Sequence, residues 1–421
     1  MKTTLILLSL FLSGVVMGQP SLSLFECQKM ARENAPRLED LELIQGMGET
    51  KIDQAGSYWY PSLDLNGKLS YQSDVIALEL SNPAISIEFP EVPHDQYGLS
   101  LDISQNIYDG GISRGKKNYE EALMAAELQQ VEVDLYGLKG RVNQYFFAVL
   151  LLQENRKNLE IHLKNLQARS EVARTAVKLG TLLENELHVL EVEKLRVKQS
   201  LIEVDSRKLS YLKALRVLCG EGVSEESILE QPAFEGVLST GNKRPEHQLF
   251  DLKHRSMEAG KELVDKKRMP VIYAFGQSGY GKPGYNMLSG EWDHYYMLGA
   301  GLRWKIWDWK HGSREKQVLG YQQQLLENQR ASFDREMEAL MVQEEARMEQ
   351  YRLSMEIDEQ VLELQKKISK QAAVRLDNGT MTATDFITEL NKENLARITQ
   401  ATHRVLLMQA KANYLTIQGN L

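Results

Sequence analysis

Two sets of side chains stand at spacings that could do chemistry. His247 and His254 are seven residues apart, and Met341, Met348 and Met355 recur at the same interval. Fifteen methionines in all would suit the handling of a soft metal. Seven is also the period of a coiled coil, so the methionines read as coil core and the scattered histidines as exposed or packing residues. The chain shows no metal-ligand spacing, no nucleophile elbow and no phosphate loop. A convergent polar site is missing, so neither an enzyme nor a cofactor or metal is expected.

The bulk properties narrow the field further. The 421-residue chain carries a net charge of −8 and no basic patch, which argues against nucleic acid, since a phosphate-binding surface needs one. MKTTLILLSLFLSGVVMG, residues 1–18, pairs an early lysine with a short apolar run and small residues at its end. That is the pattern of a secretory signal peptide cut before Gln19, and the run is short for a span of about 20 residues. No cysteine at the cut site offers a place for lipid. Later apolar runs are also too short to cross a membrane as helices, so entry into lipid would have to be as strands. Cys27 and Cys219 are the only cysteines. An exported chain permits a disulfide, but one pair says nothing of proximity, and two unpaired thiols are expected.

The elements that would carry any function come in duplicate. IYDGGISRGKK at 107–117 returns as IWDWKHGSREK at 306–316. The offset is 209 positions between Pro61 and Pro270 and 199 between Ile107 and Ile306. The halves therefore differ chiefly inside one loop, and the chain reads as a tandem duplication. The expected layout is a first repeat over 19–220, a linker over 221–243 and a second repeat over 244–421. Each repeat opens with a helix, the first over about 24–56, started by Ser23 and Glu26 in a capping box. Then come a β-hairpin (62–107 and 271–307), a very long helix (114–179 and 314–377) and a return helix (182–218 and 383–418).

The strands alternate with a period of two. Leu63, Leu65, Leu69, Leu99, Leu101 and Ile103 share an apolar face in the first half, and Leu298, Leu302 and Trp304 do so in the second. Nine to eleven such residues suit a membrane barrel strand with its apolar side to lipid; a soluble sheet with one buried face alternates identically. The long helices favour the first. Met124, Val131, Leu138, Tyr145, Leu152, Leu159, Leu166 and Ala173 form one heptad series, and further series run beside it. A helix with seams on two sides has neighbours on two sides, as in a wall or tube. Four strands cannot close a barrel, because bacterial barrels start at eight and an open edge in lipid is costly. Separate copies must then share one barrel.

LSLFECQKMARENAP, YPSLDLNGKLSYQ, IYDGGISRGKK and the paired turns KLGTLLENEL and DNGTMTATDFITEL together resemble the TolC-type outer-membrane efflux and secretion channels, over essentially the whole mature chain. The resemblance implies a mostly α fold with membrane β: a homotrimer whose shared twelve-stranded outer-membrane barrel continues into an α-helical periplasmic barrel of the Gram-negative type. It implies a passive exit duct whose tip meets a periplasmic adaptor, and through it an inner-membrane transporter. Gly180, Thr181, Leu182, Gly379, Thr380 and Met381 match the adaptor-contacting turns. Asp385 matches an acidic position lining the constricted end, with Glu186 in the comparable place of the first half; such a ring would hold cations. Departures stand at Thr388, where some members carry a second aspartate, and at Met381, where an arginine can lock the tip. The competing expectation is a soluble periplasmic coiled-coil scaffold without a pore.

Overall fold

A computed structural model describes residues 21–75, 92–234, 243–287 and 290–421. The expected signal peptide, much of the loop of the first hairpin and part of the expected linker lie outside the described residues. The chain divides into two compact units, and each draws on both repeats.

The first unit takes residues 21–38, 132–245 and 332–421. It opens with β1 (Ser21–Leu22) and α1 (Leu24–Glu33), whose start is the expected capping box. Ser23 N–H donates to Glu26 Oε2 at 2.8 Å, and Glu26 N–H donates to Ser23 Oγ at 3.3 Å. The leading helix does not run unbroken to 56. Pro36 lacks an N–H and constrains the residue before it, so α1 stops at Glu33. A 3-10 turn over Pro36–Leu38 precedes α2 (Glu39–Gly56), which belongs to the second unit.

The long helix of the first repeat is α3 (Ile112–Tyr136) followed by α4 (Leu138–Lys178), interrupted at Gly137 alone. A mid-helix glycine weakens the helix, and its counterpart in the second repeat is Glu336, inside an unbroken α7 (His311–Asp377). The return helices are α5 (Glu184–Cys219) and α8 (Ala383–Gln418). Within the first unit α4 packs on α1, α5 and α8. Around Val142–Leu150 it is buried on several sides, with Val142, Phe146, Phe147, Val149 and Leu150 all in the core. Farther along, Leu159, Leu166 and Ala173 remain buried, while Ile161 and Ala168 are exposed within this single chain. The expected linker holds structure of its own: β4 (Ile228–Leu229) pairs in parallel with β1.

The second unit takes residues 39–131 and 246–331. It holds α2, most of α6 (Pro245–Lys266), the adjoining parts of α3 and α7, and a four-stranded antiparallel sheet. The strands are β2 (Ser62–Tyr71), β3 (Asp95–Tyr108), β5 (Val271–Lys282) and β6 (Asp293–Arg303), in the order β2-β3-β5-β6. The two hairpins are thus joined by a β3–β5 pairing, and β2 and β6 are the sheet's edges. The second hairpin was expected to reach 307, but pairing ends at Arg303. Trp304 therefore stands just beyond the strand rather than on its face. The chain there leaves the ladder toward Trp309 and Lys310, whose backbones are left-handed, with φ of 53° and 61°.

Candidate functional site: an exposed sheet face and two helix turns

Register fixes which side chains share a face. Leu65 pairs with Leu101, Leu101 with Ser278, and Ser278 with Tyr296. The next row is Leu63, Ile103, Gly276 and Leu298. Leu69, Leu99 and Leu302 lie on this same side, and every one of the leucines and isoleucines expected there is exposed, Leu69 at 76% and Leu298 at 78%. Trp304 is exposed too, next to the end of β6. In a soluble sheet such a row would be covered; within this chain it is bare.

The opposite face is knitted by polar bonds. Asp102 accepts from Asn66 Nδ2, from Gln277 Nε2 at 2.6 Å and from Ser100 Oγ at 3.0 Å. Toward β6 the pattern changes in a way alternation did not foresee. Phe275 lies across Gly299, Tyr273 across Gly301 and Tyr295 across Gly279, each so close that an added Cβ would clash. Glycines there make room for rings lying flat on the sheet.

At the strand-to-helix junction Asp109 is buried and caps α3. Its Oδ1 accepts from Gly111 N–H at 2.8 Å and its Oδ2 from Ser113 N–H at 2.7 Å. Burial pushes this carboxyl up, but the bonds from Ser113 and Gly111 outweigh it and hold it below the usual range. Gly110 and Gly111 are left-handed, with φ of 66° and 85°. The second junction copies the device with poorer parts. Asp308 accepts from Gly312 N–H at 3.0 Å and is held low by that bond, while Trp309 and Lys310 stand where the first repeat has its two glycines.

In the first unit the two helix turns are near-identical. Gly180 and Gly379 both have φ of 69°. Thr181 N–H reaches Ala176 O and Thr380 N–H reaches Arg375 O, both at 2.9 Å; Gly180 N–H reaches Val177 O and Gly379 N–H reaches Leu376 O, both at 3.0 Å. That is the Schellman pattern of helix ends. Behind them Leu166, Ala173, Leu190, Leu376, Phe386 and Leu390 form one core across both repeats.

The structure assigns the expected acids local work. Asp385 N–H donates to Thr382 Oγ1 at 3.2 Å, and Thr382 Oγ1 donates to Asp385 Oδ2 at 2.8 Å, closing the N-cap of α8. Asp385 remains exposed. Glu186 is half-buried, and its Oε2 accepts from Ala383 N–H, so α5 of one repeat caps α8 of the other. A pair that sequence reasoning missed joins the same elements: Arg169 Nη1 lies 2.9 and 2.8 Å from the two oxygens of Asp377. A cavity of about 260 Å³ opens beside it, lined by Arg169, Thr181, Leu182, Asp377 and Gly379 among others. Among the described residues no cluster of histidine, cysteine and carboxylate could hold a metal, and no helix is long and apolar enough to cross a membrane.

Residues 28–221 match the model of the outer membrane efflux protein family. Over this stretch the chain is similar to outer membrane efflux proteins. The second repeat carries the same hairpin and helix turn, and similarity to solved structures spans nearly everything. The outer membrane protein VceC of Vibrio cholerae aligns with a TM-score of 0.67 at 12% identity, covering 94% of this chain and 96% of its own. The CmeC outer membrane channel of Campylobacter jejuni aligns at 0.65 and 14%, covering 94% and 85%. The open MtrE outer membrane channel of Neisseria gonorrhoeae aligns at 0.65 and 15%, covering 94% and 89%. At such identities the likeness is one of fold. No curated protein matches the chain in sequence.

Proposed function

We propose that the chain is the outer-membrane exit duct of a tripartite efflux or type I secretion assembly, built as a homotrimer and passive in itself. The observation that carries this reading is the open sheet. Its two edges, β2 and β6, offer unpaired backbone groups, and its Leu-rich face is bare. In lipid each unpaired group costs several kcal/mol, so further strands must complete a barrel, and the edges of two other copies are the fitting source. Leu63, Leu65, Leu69, Leu99, Leu101, Ile103, Leu298 and Leu302 then meet lipid, while Trp304 sits where aromatic girdles mark the interface.

The turns at Gly180–Leu182 and Gly379–Met381 are the surface for a periplasmic adaptor, which links the duct to an inner-membrane transporter. Asp385, exposed beside them, is the acidic group at the constriction, and Glu186 acts by holding α8 in place. A soluble scaffold would have to cover the sheet's bare face, and nothing favours that reading. The test is to extract the protein from the outer-membrane fraction, measure its mass in detergent and record it in planar bilayers. A trimer that conducts ions is expected. A monomer recovered without detergent would remove the reading.

A further inference from the structure

Cys27 and Cys219 are 192 positions apart and meet in the core of the first unit. Both are free thiols at 0% and 1% exposure, among Leu24, Ala31, Leu212 and Leu215. The Cys219 thiol donates to the Cys27 carbonyl oxygen at 3.2 Å, so the two residues are direct neighbours in this core. Their meeting is built from both flanks. The capping box at Ser23 and Glu26 fixes the start of α1 one turn from Cys27. On the other side Asn34 Nδ2 donates to Cys219 O at 2.7 Å and to Met30 O at 2.9 Å. Gly220, left-handed at φ 77°, ends α5 against Asn34, and Gly222 sits under the Met30 sulfur.

We propose that Cys27 and Cys219 are an oxidation site, and that in the mature protein they form a disulfide tying the first helix of the first repeat to the last residue of its return helix. The inference rests on the outer-membrane reading only in that the chain must pass an oxidising compartment. The oxidant is a protein dithiol oxidase in its disulfide form. A thiolate of one cysteine attacks a sulfur of that disulfide, giving a mixed disulfide, and the second cysteine's thiolate displaces the oxidase sulfur. One S–S bond forms, two thiol protons leave, and two electrons reduce the oxidase to its dithiol. Contact between the two pushes the Cys27 thiol up and the Cys219 thiol down, but at 0% and 1% exposure neither sulfur of the folded core is open to an oxidase. The exchange therefore belongs to folding, before α1 closes over the end of α5. Once formed, the bond is shielded from reductants by the same core.

The test takes the wild-type protein from the outer-membrane fraction, unfolds it in acid and treats it with a polyethylene-glycol maleimide. No adduct is expected without reductant and two after reduction. The unreduced chain should also run faster on a denaturing gel, and Cys27→Ser and Cys219→Ser should each abolish that shift. Two adducts without reductant, in protein located in the outer membrane, would overturn the proposal, as would a reducible dimer band. If the protein is not in that membrane, the location fails separately. The purified chain refolded in an oxidising glutathione buffer then decides the disulfide: the fast band supports it, and two reactive thiols refute it.

Discussion

Arg169 on α4 grips both carboxylate oxygens of Asp377, the last residue of α7, and so ties one repeat to the other beside their helix turns. Neither residue has a counterpart that repeats the bond: Ile368 and Lys178 stand 199 positions away in the other half. Duplication supplied the two turns, and divergence supplied this link between them. Glu186, capping Ala383, is the second link.

If that pair restrains the tips, Arg169→Ala and Asp377→Ala should loosen them alike, and the double variant should add little more. The pair is partly exposed, so its share is about 0.2–1 kcal/mol and falls with salt. The expected signature is faster hydrogen exchange around 176–183 and 374–383, with more frequent open events in bilayers. Additive effects of the two single changes would show that the side chains act separately.

The junctions predict opposite responses to glycine. Trp309 and Lys310 hold a left-handed backbone that costs an L-residue roughly 1–2 kcal/mol. Replacing either with glycine should therefore stabilise the fold by roughly 0.5–1 kcal/mol after the glycine's own entropy cost, read as a higher thermal midpoint. Gly110→Ala should do the reverse and by more. Its φ is 66°, and an added Cβ would fall 2.4 Å from Met269 Cβ and 3.2 Å from the Pro270 carbonyl. A Gly110→Ala melt equal to wild type would contradict this account of the turn.

Acid should weaken the tip-proximal core through His162. It is buried, and that burial lowers its pKa despite Glu193, Asn391 and Glu393 facing it. A histidine depressed in the folded state costs nothing while both states are neutral. As pH falls below its unfolded value of about 6.5, the unfolded chain takes up the proton first and stability drops. Helical unfolding midpoints should therefore fall as pH drops below about 6.5 in wild type. In His162→Gln that part of the slope should vanish. An unchanged slope would assign the acid response to other groups.

Much of this was legible in the sequence because duplication makes local patterns confirm one another. The 71-residue interval from Asp109 to Gly180 recurs from Asp308 to Gly379, and the structure finds a carboxylate cap and a left-handed glycine at the matching ends. The cap at Asp385 was written as Thr382 three residues earlier. What stayed hidden depends on contacts far apart in the chain. Alternation placed Leu101 on an apolar face but could not say whether that face was covered, nor that β3 pairs with β5. It also ran on to Ile306, because a periodic pattern carries no sign of where hydrogen bonding stops; Trp304 lies past that point. Arg169 and Asp377 gave no signal, since an ion pair across 208 positions has no local spacing.

Leu101 offers the sharpest test of the sheet's faces. It sits on β3, inside the sheet, paired on one side with Leu65 and on the other with Ser278. A charge at the midplane of a lipid-facing strand costs about 2–4 kcal/mol, so Leu101→Arg should cut assembly into the outer membrane sharply. Asp64→Arg is the matched control. Its side chain is on the other face, in register with Asp102, where a cation meets a carboxylate and lipid is not involved. Normal assembly of Asp64→Arg with failure of Leu101→Arg is the expected result. If both assemble equally well, the apolar row does not meet the bilayer; if the control alone fails, the faces are reversed.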